Sequence, residues 1–190
     1  MNSANAELDT VRPPTDIKQV LDEEIKEWHF HIYFLQNNDV SKGKAIQLRD
    51  AILSLRKDGA FVAVPLFRVN YGPMGPHPIG SYEVWCPIES FASVFSYLTL
   101  YRDDLSVLVH PLTREEKKDH EIRRVWMGQP YGIDLSVLPV LSEEIPFQYA
   151  SLKLGYNTDE PRPNLELLRE RGRNIEEKLA HEPEAAVTAS

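Results

Sequence analysis

The chain holds one cysteine, Cys86, in 190 residues. An internal disulfide is thereby excluded, and the usage fits a reducing compartment. Long apolar runs are missing too, so no stretch approaches the ~20 residues that a bilayer-spanning helix requires. The N-terminal residues mix Asp, Glu, Lys and Pro without an apolar centre; no secretory leader is expected, and the cytoplasm is the default location. Lys/Arg clusters interleaved with aromatics are also lacking. With a formal net charge of −8, neither nucleic acid nor an anionic membrane is expected as the main partner. No internal repeat is found, and no Ser or Cys sits in a recognisable nucleophile motif; Cys86, before Pro87, reads as buried packing.

What is present is an ordinary globular composition, 42% hydrophobic and 26% charged, at a length suited to one domain. Residues 1–24 are polar and carry Pro13 and Pro14, which reads as a flexible arm. From Glu27 the pattern changes. Trp28, Phe30, Ile32 and Phe34 alternate with His29, His31, Tyr33 and Leu35, the period-2 signature of a strand. Asn37, Asn38 and Asp39 supply turn and cap chemistry, and Ala45, Leu48, Ile52 and Leu55 then recur at helical spacing until Gly59. Ala60 to Val69 reads as a second strand, the Gly/Pro-dense run from Asn70 to Gly80 as a loop, and Ser81 to Cys86 as a third strand. Pro87 suits the first turn of a second helix with Ile88, Phe91, Phe95 and Leu98 on its apolar face. Leu105 to His110 is a fourth strand.

The order is β-α-β-β-α-β, which predicts an α+β fold of the ferredoxin-like kind. A third helix with a capping box (Thr113, Glu116) is expected to run to about Met127, followed by an extended piece from Ile133 to Leu138. A last amphipathic helix spans Asn164 to Leu179, and the tail from His181 reads as disordered. The division is an arm (1–24), a folded domain (25–158) and a C-terminal helix with tail (159–190).

Five of six histidines lie in short separate stretches: His29 and His31, His77, then His110 and His120. Strand alternation puts His29, His31 and Tyr33 on the face opposite Phe30 and Ile32, with alternate residues about 7 Å apart. In the ferredoxin-like order the first strand lies between the third and fourth. Glu83 and His110 would then flank the two histidines, and the His77 loop leads into the third strand. Imidazole is the commonest transition-metal ligand, so convergence of these stretches would make a metal site. Each residue also has a plainer reading: His29 and His31 on a solvated face, His77 as a loop residue, His110 as a strand end, Glu83 as a solvated carboxylate, and His120 exposed on a charged helix. A sheet with helices on one side needs its other face covered, by a second copy or by the C-terminal segment.

The stretches Trp28-His29-Phe30-His31-Ile32-Tyr33-Phe34, Gly75-Pro76-His77-Pro78, Ser81-Tyr82-Glu83-Val84, Leu108-Val109-His110-Pro111, Asp119-His120, Trp126-Met127-Gly128 and Asp134-Leu135-Ser136 together resemble the DOPA 4,5-dioxygenase family of aromatic-ring-cleaving proteins. The similarity covers about Glu27 to Leu138. It implies a ferredoxin-like protomer forming a dimeric α/β barrel, and a metal-dependent extradiol dioxygenase acting with O2 on catechols such as L-DOPA. On that resemblance Fe(II), or alternatively zinc, would be held by His31, His110 and either His29 or Glu83. His77 would be the acid/base and His120 its support. Tyr33 and Tyr82 would donate hydrogen bonds to substrate unless they pack at the core edge, and Arg124 would pair with a substrate carboxylate unless it is a plain surface charge. Two other readings stay open: a non-catalytic dimer binding a small aromatic ligand, and a zinc enzyme of another reaction type.

Overall fold

The computed structural model describes residues 12–146 and 148–186, and the chain divides into two compact units. The larger, Ile25–Asp159, holds a five-stranded antiparallel sheet with helices packed on it. Its elements are β1 (Glu27–Phe34), α2 (Asp39–Lys57), β2 (Val64–Pro65), β3 (Gly80–Pro87), α3 (Ile88–Tyr101), β4 (Ser106–Pro111), α4 (Glu116–Glu121) and β5 (Val125–Met127), in strand order β2-β3-β1-β4-β5. The smaller unit carries α1 (Ile17–Asp22) and α5 (Leu165–Leu179). No helix among the described residues is long and apolar enough to cross a membrane.

β1 is central because its even-numbered side chains make the core and its backbone pairs on both edges. His31 lies opposite Glu83 of β3, and His29 opposite His110 of β4. Phe30, Ile32 and Phe34 are buried against Ala45, Leu48 and Ile52 of α2 and Val94 and Leu98 of α3. The Asn38 carboxamide oxygen accepts from the Ser41 N–H to start α2, and Gly59, at φ +82°, follows its end. α3 buries Ser90, Val94 and Leu98, while Phe91 and Phe95 pack only partly against the core. The sequence-based stripe is thus displaced toward Val94.

Four expectations are corrected. The second strand shrinks from Ala60–Val69 to two residues, because Pro65 lacks an N–H and the chain then bulges before rejoining β3 at Asn70. The helix expected to reach Met127 ends at Glu121. Val125, Trp126 and Met127 instead pair with β4, where burial of Met127 outweighs continued helix. Its capping box does not form: the Thr113 hydroxyl accepts from the Glu115 N–H, while the Asp119 carboxylate accepts the Thr113 N–H and O–H. The extended piece at 133–138 contains a 3-10 turn, Leu135–Val137, begun by the Asp134 carboxylate accepting the Ser136 N–H and O–H.

Within the smaller unit, the arm contains α1, capped by Asp16, which accepts from the Gln19 N–H. α5 begins where the Asn164 side chain accepts from Glu166 and Leu167, as the sequence signals. The expectations for 1–11 and for 187–190 lie outside the described residues.

Candidate metal centre

On β1, residues 29, 31 and 33 face away from α2 and α3. The covering comes from α4, the loop through His77, and the segment after Leu138. Ser142 N–H donates to the Arg114 carbonyl and Asp134 N–H to the Pro76 carbonyl, binding these pieces together. Beneath them lies a cavity of about 320 Å³ whose lining includes His29, His31, His77, His110, His120 and Glu83. All five histidines are at most 8% exposed.

His77, His110 and His120 are each tethered through Nδ1. His110 Nδ1 lies 2.8 Å from the Pro111 carbonyl and His120 Nδ1 2.9 Å from the Glu116 carbonyl. A carbonyl only accepts, so in each ring Nδ1 carries the proton and Nε2 keeps its lone pair. His77 Nδ1 is 2.6 Å from the Tyr33 hydroxyl. His31 Nε2 and His110 Nε2 are 3.0 Å apart, a spacing at which two nitrogens can share one cation through bonds of about 2.1 Å. Two overlapping triads have their ligand atoms within 4.8 Å of one another: His29, His31 and His110, and His31, His77 and His120.

Electrostatics favours lone pairs over protons here. Burial, then the neighbouring imidazoles, holds His31 and His110 well below the ordinary histidine range. The same causes bring His77 down to about 4 and lower His120. Burial pushes the Tyr33 hydroxyl up, so it stays a phenol. Five buried, convergent imidazoles are a donor set that fits a borderline transition metal, of which iron(II) and zinc are examples.

Other sequence-singled residues are placed less uniformly. Glu83 reaches the cavity, but its carboxylate stands behind His29 (3.3 Å) and accepts from the Gln148 amide at 2.9 Å, outside both triads. Tyr82 is not at the site. It lies fully buried on the helix side of the sheet, its hydroxyl donating to the Ala45 carbonyl, because its strand parity is that of Ile32. Arg124 does not line the cavity either; its guanidinium donates to the His120 carbonyl. Cys86 is buried on the core side, where burial pushes its thiol up, which leaves no cysteine nucleophile at the cavity. Gln148, whose side-chain oxygen is 3.0 Å from His29 Nε2, escapes sequence reasoning altogether. It lies 119 residues from its partner in a stretch with no periodicity.

Comparisons with known proteins add a family to this geometry. Residues 28–137 match the model of the Dopa 4,5-dioxygenase family. The chain is 60% identical over 177 residues to a DOPA 4,5-dioxygenase of Amanita muscaria, covering 93% of this chain and 78% of that one. It is 34% identical over 123 residues to an uncharacterized 21.2 kDa protein of Botryotinia fuckeliana, covering 60% of this chain and 64% of the relative. A crystal structure of a provisionally assigned dioxygenase from Nostoc punctiforme superposes with a TM-score of 0.53 at 29% identity, over 60% of this chain and 90% of that one. A histidine-walled cavity on the open face of the sheet, and a family match that spans every strand carrying those histidines, together make this chain a member of the Dopa 4,5-dioxygenase family.

Proposed function

We propose that the protein is an extradiol dioxygenase. It breaks a ring C–C bond beside the two hydroxyls of a catechol such as L-DOPA and inserts both atoms of O2, giving a muconate semialdehyde. The observation that carries this is the convergence of five buried imidazoles on one cavity, in a chain 60% identical to a DOPA 4,5-dioxygenase. The cavity, about 320 Å³, is at the small end of ligand sites and suits a single ring with a short substituent.

His31, His110 and His29 are the proposed metal ligands, with Glu83 and Gln148 orienting His29. Iron(II), when bound, supplies a chelation point for both catechol oxygens and a route for electron density toward O2. Zinc fits the same imidazoles but supplies no redox chemistry.

The remaining groups handle protons. His77 is the proposed acid/base. Neutral at pH 7, with Nδ1–H donated to the Tyr33 oxygen, it presents an Nε2 lone pair to a substrate hydroxyl. Negative charge on the catechol raises the affinity of His77 for that proton, which it later returns. Tyr33, kept protonated by burial, accepts the His77 Nδ1–H and holds the ring in place. His120, tied to the Glu116 carbonyl, supports the triad it shares with His31 and His77. The fold is proposed to be ferredoxin-like, pairing as a homodimeric barrel, in the cytoplasm.

The test is to load the purified protein with iron(II) without air, add L-DOPA or caffeate, and admit oxygen. A yellow semialdehyde is expected to form with one O2 consumed per catechol. His31→Ala is expected to lose both bound metal and turnover, since that ring belongs to both triads. Wild-type turnover rates in His31→Ala would overturn the assignment.

A further inference from the structure

The edge strand of the sheet is broken in a way that serves the cavity. Leu66 N–H donates to the Glu83 carbonyl, and Asn70 and Ser81 exchange both backbone hydrogen bonds. Three residues, Phe67, Arg68 and Val69, therefore stand opposite Tyr82 alone, a bulge with two residues in excess. Such bulges re-aim side chains beside functional sites. Arg49 of α2 fixes this one by donating to the carbonyls of Leu66 and Phe67 (3.0 and 3.3 Å). Phe67 is turned out, 85% exposed, Val69 packs on the core, and Arg68 lines the histidine cavity.

Arg68 is the one Lys or Arg among the described residues lining that cavity. The carboxylates there are engaged elsewhere: Asp119 with Thr113 and Arg123, Glu116 with the Ser142 hydroxyl, Glu83 with Gln148. Among the described residues none forms an ion pair with Arg68, although the chain carries a net charge of −8. Arg68 is itself exposed where it lines the cavity, and an arginine there without an ion-pair partner is suited to an anionic, planar group, which its forked N–H donors can hold through two parallel hydrogen bonds. Two strand spacings, about 10 Å in all, separate the bulge from β1. A catechol ring lying against the histidines and carrying a short acid chain bridges a gap of that order.

We propose that Arg68 selects the substrate, its guanidinium binding the side-chain carboxylate of a catechol whose ring lies against the histidines. This rests on the dioxygenase reading above and narrows it to catechols bearing a carboxylate. Arg124, the sequence-based candidate for this role, is committed to the His120 carbonyl.

The experiment compares iron-loaded wild type, Arg68→Gln and Arg68→Lys on L-DOPA and caffeate, which carry a carboxylate, and on 4-methylcatechol, which does not. In Arg68→Gln, KM for the acids is expected to rise about 10- to 100-fold, the loss of one charge-assisted hydrogen-bond pair. Their kcat stays within about twofold, 4-methylcatechol is unaffected, and Arg68→Lys recovers part of the loss. Equal effects on acidic and neutral catechols, or no effect on either, would overturn the proposal. A binding arm uses 3-phenylpropionate, a carboxylate without the diol, followed by calorimetry. Binding by wild type but not by Arg68→Gln supports the anion site even where no catechol is turned over, which would sink only the dioxygenase reading. Equal binding by both proteins sinks the Arg68 assignment.

Discussion

An imidazole removed from water must have its nitrogens accounted for, and the tethers in this protein divide the labour between them. The Pro111 and Glu116 carbonyls take the Nδ1 protons of His110 and His120, so the inward nitrogens keep lone pairs. A second buried acceptor lies away from the cavity. Glu27, fully buried at the start of β1, accepts the Trp85 indole N–H at 2.8 Å and the Tyr156 N–H at 3.1 Å. It thereby ties the covering segment to the sheet. Gly155 sits beside it at φ +61°, where a Cβ would meet the Glu27 side chain at 2.5 Å. Gly155→Ala is expected to cost about 2 kcal/mol or more, from backbone strain and the clash together. A lowering of Tm by about 5–10 °C in a thermal melt checks this. The pairing of Glu27 with Gly155 has no sequence signature, because it joins chain ends of the unit that are far apart in number. The parity of His29 and His31 did have one, since the side chains of a strand alternate whatever surrounds it.

Among the elements, α4 is short and highly charged, and its place depends on one buried carboxylate. Asp119, 1% exposed, accepts from the Thr113 backbone and hydroxyl and pairs with Arg123 at 2.9 Å. The next residue is His120. Asp119→Ala leaves the Arg123 guanidinium and the Thr113 N–H without this partner, an expected cost of about 3 kcal/mol. It is also expected to weaken metal binding by about tenfold or more through misplacement of His120. A metal titration alongside a denaturant melt separates the two effects; loss of stability with unchanged metal affinity would place His120 outside the centre. The helix itself was legible, but neither its capping nor its end was. Val125 to Met127 carry residues compatible with either state, and only the open edge of β4 decides between them. The same holds for the segment Ala60 to Val69, where Pro65 forbids a full ladder and Arg49 stabilises the bulge.

For the whole larger unit, the buried histidines make stability depend on pH. In the unfolded chain an imidazole titrates near 6.5; in the fold His77 does so near 4, and His31, His110 and His120 also lie low. Between these values the unfolded chain binds more protons, so stability is full above about pH 6.5 and is lost as pH falls toward 4. His77 alone contributes roughly 3 kcal/mol to that loss. Melting the chelator-treated protein across pH 7.5 to 4 is expected to show Tm falling steadily below about 6.5. A flat profile would mean the imidazoles take up protons freely within the native cavity.

Sequence alone determined the features that local periodicity and residue chemistry dictate: the central strand, the two helices packed on its even-numbered side, and the set of imidazoles available for a site. Those features need only the geometry of a strand or helix and the short range of capping and turn interactions. Tertiary structure decided which side chains meet. It withdrew Tyr82 to the core and Arg124 to a backbone carbonyl, set Glu83 behind His29, and brought in Gln148 and Arg68. The reason is that these assignments depend on strand register, on a bulge and on a covering segment. Each of those is fixed by burial and pairing between parts of the chain that the sequence holds far apart.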